Sequence, residues 1–87
     1  MTTPETKVKA KLKKLLKVGG YWFSSISDRY HSGLPDVIAI RSGLVYFIEV
    51  KSSTGKLTRL QTLTLEEAKR HGAICVVYRG EDELISL

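Results

Sequence analysis

Gly33-Leu34-Pro35-Asp36-Val37-Ile38-Ala39-Ile40-Arg41-Ser42-Gly43-Leu44-Val45-Tyr46-Phe47-Ile48-Glu49-Val50-Lys51 holds two β-rich runs separated by a two-residue turn signal, Ser42-Gly43. With Ser42 and Gly43 as the loop, the register follows by counting. Arg41 pairs with Leu44, Ile40 with Val45, Ile38 with Phe47, and Asp36 with Glu49. Directly opposed residues project to one face with Cβ atoms about 4.5–5.5 Å apart, where like charges repel. Strand alternation adds Lys51 to the face of Val45, Phe47 and Glu49. The opposite face of the second run, Tyr46, Ile48 and Val50, is also apolar, so this strand reads as central and its end as something other than free, solvated surface. Two carboxylates and an ammonium converging there make a poor core. They call for compensation from outside the polypeptide, and a divalent metal with a phosphodiester fits.

Upstream, Val8, Leu12, Leu15 and Leu16 recur at helical spacing, predicting a helix over 4–18 that Gly19-Gly20 ends. Glu5 falls in the angular sector of Val8, Leu12 and Leu16, although Thr2-Thr3-Pro4-Glu5 is also a capping box that explains an acid there. Residues 21–26 read as a strand and 27–35 as a polar loop carrying Arg29 and His31. A lone histidine without a second ligand-type residue in pattern reads as a surface residue within reach of a phosphate.

Downstream, 52–56 is a flexible connection, and a helix runs from about Thr58 to Gly72. Leu60, Thr64, Ala68 and His71 are expected on its inward face, with Leu63 and Leu65 at the margins and Gln61 on the same side. Thr58 and Gln61 again have capping-box spacing. Residues 73–78 form an apolar, β-branched run expected to be a buried strand, and Glu81-Asp82 is expected to open a short last helix through Leu87.

The 87 residues suit one small domain, with no internal repeat or linker, and a core small enough that a dimer would relieve its exposure. No apolar run approaches the ~18 residues of a membrane span, and no targeting segment is evident, so a cytoplasmic protein is expected. The single cysteine, Cys75, lies in an apolar run and reads as a buried hydrophobe, which excludes a disulfide framework or a cysteine zinc site within one chain. A net charge of +5 and a pI near 9.5 suit a polyanionic partner.

With an acid on the first helix, Pro35-Asp36, Glu49-Val50-Lys51 and Gln61 in the order helix, three strands, helix, strand, the chain resembles the PD-(D/E)XK nuclease superfamily. More closely it resembles the VRR-NUC branch, the virus-type replication-repair nuclease domain, in its stand-alone phage or bacterial form. Gly33-Leu34-Pro35-Asp36, Ile48-Glu49-Val50-Lys51 and Gly55-Lys56-Leu57-Thr58-Arg59-Leu60-Gln61 are similar to three motifs of that branch. The resemblance implies an α/β, restriction-endonuclease-like αβββαβ core, a mixed central sheet flanked by helices, and a single nuclease domain over 1–87. It implies a Mg²⁺-dependent endonuclease, with Mn²⁺ able to substitute, acting on DNA and especially branched DNA such as Holliday junctions as a homodimer, with no organic cofactor.

The implied catalytic set is Glu5, Asp36, Glu49, Lys51 and Gln61. Metal ligands would be Asp36, Glu49, the backbone carbonyl of Val50 and Glu5, and DNA contacts would come from Lys9, Arg29, His31, Lys56 and Arg59. A basic nucleic-acid-binding module without hydrolysis, or a metal-independent protein-interaction domain, would account for the charge but not for the ordered acids.

Overall fold

A computed structural model describes residues 4–26 and 33–87. The elements follow the expected αβββαβ order: α1 (Pro4–Val18), β1 (Trp22–Ser25), β2 (Val37–Arg41), β3 (Leu44–Val50), α2 (Arg59–Arg70) and β4 (Ile74–Tyr78). One four-stranded sheet has the order β1-β2-β3-β4, antiparallel except for the parallel β3–β4 pair, whose crossover is α2. β3 is therefore interior, as its two apolar faces imply.

The turn holds the hairpin in the register read from the sequence. Arg41 faces Leu44 and Ile38 faces Phe47. Ser42 and Gly43 both take positive φ, 53° and 76°, the pattern of a tight hairpin turn whose twist matches its strands.

α1 covers one side of the sheet. Leu12 and Leu16 pack with Val37, Ala39, Tyr46, Ile48, Val50, Val76 and Tyr78, nearly all fully buried. At its far end Tyr21 meets Tyr46 edge-on at 5.2 Å, and the Arg41 guanidinium lies 4.3 Å from the Tyr21 ring centre while donating to Gly19 O. α2 lies on the other side, against β4.

Two expectations are corrected. On α2 the buried leucine is Leu65, whose carbonyl accepts from Cys75 Sγ at 3.2 Å, whereas Leu60 and Leu63 are exposed and His71 is the exposed C-cap. Gln61, Thr64 and Ala68 are half-buried on the inward side as expected, so the face of α2 that meets the sheet centres on Leu65 and is flanked by Gln61, whose buried polar partner is described below. Residues 81–87 form no helix. Instead Ser86 bridges Val76, and Leu87 N–H donates to Cys75 O at 2.8 Å. The outer edge of β4 offers backbone partners that seven residues gain more readily than they nucleate a helix.

Among the described residues no helix is long and apolar enough to cross a membrane. Cys75 is buried, as its surroundings in the sequence indicated.

Candidate active site

The end of the hairpin is where the two sides of the sheet and both helices meet. Continuing the β2–β3 register by one residue beyond Val37–Ile48 sets Asp36 across from Glu49. Asp36 is tied from both its ends: its carbonyl accepts from Ile26 N–H at 2.8 Å, and its carboxylate Oδ2 accepts from Val50 N–H at 2.8 Å. Gly33 opens this stretch because the chain presses on α2 there. A Cβ at Gly33 would stand 2.5 Å from Thr64 Oγ1 and 3.0 Å from Leu60 O, so the approach excludes a side chain.

Glu49 is 3% exposed, the only buried charged residue among the described residues. Its Oε1 accepts from Gln61 Nε2 at 3.0 Å, whereas Oε2 is buried without a donor. The neighbouring titratable side chain is the Asp36 carboxyl, an acceptor like itself. Burial, then proton sharing with Asp36 and the charge of Asp36, push the Glu49 carboxyl from its ordinary 4.5 up to about 8. Lys51 pulls in the opposite direction, and the more distant Glu5 adds to the rise. Lys51 itself is half-buried.

Gln61 performs two tasks with one amide. Its Oε1 accepts from Thr58 N–H at 2.9 Å while Thr58 Oγ1 accepts from Gln61 N–H at 3.1 Å, which completes the capping box of α2. Its Nε2 meanwhile reaches Glu49. The capping and site readings of Gln61 coexist.

Glu5 stands in the first turn of α1 and is exposed, and its capping partner in the sequence, Thr2, lies outside the described residues. With Pro4, Thr6, Lys9, Asp36 and Ser52 it lines an open cleft of about 490 Å³. A larger cleft of about 600 Å³ lies toward the other end of α1, beside Lys14, Tyr21 and Arg41; the ion pair there, Lys11–Asp82 at 2.9 Å, is exposed, and no buried carboxylates converge on it. The chemistry therefore favours the smaller cleft.

Of the sequence-derived site residues, the structure groups Asp36, Glu49, Lys51 and Gln61, with Glu5 and Lys9 on the cleft wall. Lys56 is exposed on the approach to α2 and Arg59 is exposed as its first residue, and Arg29 and His31 lie outside the described residues. Val50 enters through its N–H. Among the described residues no group of three or more histidine, cysteine, aspartate or glutamate side chains gathers to hold a metal ion. The converging side-chain donors are the two carboxylates of Asp36 and Glu49. Residues missed in the sequence are Ser52 and Thr6 on the cleft wall and the Val50 amide as an anchor for Asp36. Strand register, extended to backbone donors, carried the last of these.

The sequence matches no protein-family model and no curated protein. Among solved structures, one described as a VRR_NUC domain superposes with a TM-score of 0.77 at 27% identity, covering 91% of this chain and 88% of its own. The chain has a VRR-NUC fold. The match agrees with the αβββαβ core expected from the order of elements in the sequence. In the VRR-NUC frame the mixed sheet positions the Asp36–Glu49 pair at one end of its central hairpin, with α1 and α2 approaching from opposite sides.

Proposed function

We propose that this chain acts as a single nuclease domain, a divalent-metal-dependent endonuclease that hydrolyses DNA phosphodiester bonds, with branched DNA such as Holliday junctions as its substrate class. The observation that carries the reading is Glu49: a buried carboxylate with one oxygen lacking any donor, held against a second carboxylate. A fold keeps such a pair only where something else compensates it.

Two hard carboxylate donors beside an open cleft suit Mg²⁺ or Mn²⁺, held by Asp36 and Glu49 with Val50 O and Glu5 completing the set. When bound, such an ion supplies Lewis-acid neutralisation of charge building on the phosphoryl oxygens. The chain's own residues do the rest. Gln61 fixes the Glu49 carboxylate through Oε1, and Val50 N–H fixes Asp36 through Oδ2, so both present their remaining oxygens without rearrangement. Lys51, a compact ammonium on a flexible stem, orients the attacking water and stabilises the developing phosphoryl charge. Lys9 on the cleft wall and the exposed Lys56 and Arg59 supply backbone contacts to DNA, with Arg29 and His31 contributing from the preceding loop.

A homodimer would bring two such sites to one four-way junction. In support, Trp22, Ile40 and Val45 form one row across β1, β2 and β3 on the Glu49 face and are 62%, 38% and 36% exposed. Contiguous exposed apolar rows of this kind mark contact surfaces. The expected setting is the cytoplasm of a bacterial cell or phage-infected host, where such DNA is found.

The test is a gel assay in Mn²⁺ with four-way junction, flap, single-stranded and duplex DNA side by side. Cleavage of the junction that vanishes in Glu49→Ala is expected. Failure to cut any of the four, or equal cutting by Glu49→Ala, sinks the proposal. A non-catalytic binder would in addition show no stoichiometric divalent-ion site lost on Asp36→Asn.

A further inference from the structure

The connection from β3 to α2 begins at Lys51 and is gripped by a third element. Directly after β4, Arg79 extends its guanidinium across to it, and Nη1 donates to the carbonyls of Ser52 and Gly55, each at 2.6 Å. The Arg79 backbone N–H donates to Glu81 Oε1 at 2.8 Å, so the residue is anchored at both ends. Charged donors make the stronger hydrogen bonds, and a planar guanidinium also fixes their direction.

The turn that Arg79 holds is closed from within, since Gly55 N–H donates to Ser52 Oγ at 3.1 Å and lies 3.3 Å from Ser52 O. Gly55 in turn lies against Lys51: a Cβ added there would stand 3.5 Å from Lys51 Cδ. The Lys51 backbone N–H donates to Tyr78 O at 3.0 Å, in the segment that leads into Arg79. Lys51 is thus bounded on its main chain by the end of β4 and on its stem by the turn that Arg79 pins. Ser52, whose carbonyl Arg79 takes, also lines the cleft with Asp36.

We propose that Arg79 is a positioning residue: by pinning the Ser52–Gly55 turn it sets the Lys51 ammonium against the Asp36–Glu49 pair. This rests on the nuclease reading of Lys51. Misplacing a reacting group by about 1 Å can slow a reaction by up to about a hundredfold, so loss of the pin should act on kcat rather than on DNA affinity.

The experiment compares four variants of the full chain in Mn²⁺ on the DNA that the parent cuts. Arg79→Met keeps the aliphatic stem and removes both donors, Arg79→Ala removes the stem as well, Arg79→Lys keeps a cationic donor, and Arg70→Ala removes an equal charge from the exposed end of α2. We expect Arg79→Met to lower kcat about tenfold with KM for DNA within about twofold, Arg79→Lys to recover part of the loss, and Arg70→Ala to match the parent. Amide hydrogen exchange of Gly55 should accelerate about tenfold in Arg79→Met while that of Ile48 in β3 stays as in the parent, a split that general destabilisation would not give. Unchanged kcat or unchanged Gly55 exchange in both Arg79→Met and Arg79→Ala overturns the proposal, as does an equal kcat loss in Arg70→Ala. If the parent cuts no DNA, the nuclease reading fails, and Gly55 exchange alone then decides whether Arg79 holds the turn.

Discussion

The two faces of the sheet carry opposite chemistry. Under α1, Leu12 and Leu16 meet Val37, Ala39, Ile48, Val50 and Val76, an apolar layer in which, among the described residues, the polar side-chain atoms belong to Tyr46 and the fully buried Tyr78, whose Oη donates to Glu81 O at 2.6 Å. Toward α2, the same strands present Glu49 without a donor for Oε2, Asp36 beside it, and the exposed row Trp22, Ile40 and Val45. One strand, β3, serves both faces by alternation: Ile48 and Val50 point into the core, and Glu49 points into the site. The lesson is a division of labour in which stability concentrated on the α1 face tolerates an unfavourable carboxylate pair on the other.

The largest way to break this comparison is on the site side. Glu49→Ala or Asp36→Asn should reduce Mn²⁺-dependent cleavage by about 10³-fold or more, measured on the same junction substrate, while circular dichroism stays that of the parent and both variants remain folded. If either variant unfolds instead, the pair is structural and the division fails.

On the core side the effects should reverse. Leu16→Ala removes a fully buried side chain and should lower stability by about 2–5 kcal/mol in denaturant titration, with cleavage per folded molecule retained. An intact core variant with lost chemistry would show that the faces are not separable.

Glu49→Gln should sharpen the contrast, because it keeps the shape and can donate to Asp36. In the absence of divalent ions at pH 8 it should be the more stable protein by about 1–3 kcal/mol, a rise in Tm of several degrees, while being inactive. The sign follows from the proton balance. The Glu49 carboxyl titrates near 4.5 when exposed and near 8 in the fold, so between these values the folded state keeps a proton that the unfolded state has released. Stability of the metal-free parent should therefore fall as pH rises from about 4.5 to about 8 and level off above it. The Glu49→Gln form should lack this component of the slope, and Mg²⁺ or Mn²⁺ should raise the Tm of the parent but not of the variant.

The smallest effect separates the two tasks of Gln61. Thr58→Ala removes the cap and should cost about 1 kcal/mol of stability with little change in kcat, whereas Gln61→Ala should also slow cleavage about tenfold by freeing Glu49. Equal kcat in the two variants would reduce Gln61 to a cap.

Element types, order and the hairpin were legible in the sequence because each rests on local rules. A two-residue loop fixes register by counting, so Asp36 and Glu49 had to oppose one another; helical spacing marked Leu12 and Leu16; the spacing of Thr58 and Gln61 gave the cap. The misread parts all depend on partners distant in the chain. Leu60 looks inward and Leu65 marginal until β4 and the Gln61–Glu49 bond fix the rotation of α2. Residues 81–87 looked helical until the open edge of β4 offered Ser86 and Leu87 backbone partners.

By itself, then, the sequence determined that two acids and a lysine share one end of a central hairpin, since strand parity leaves no alternative. Only the tertiary structure decided that Glu49 would be nearly sealed from water, that Val50 N–H and Gln61 would fix the two carboxylates, and that Arg79 would close over the loop leaving Lys51. Burial and long-range hydrogen bonds are properties of packed neighbours, and the parallel β3–β4 pairing that brings Tyr78 beside Val50 has no local signal in the chain.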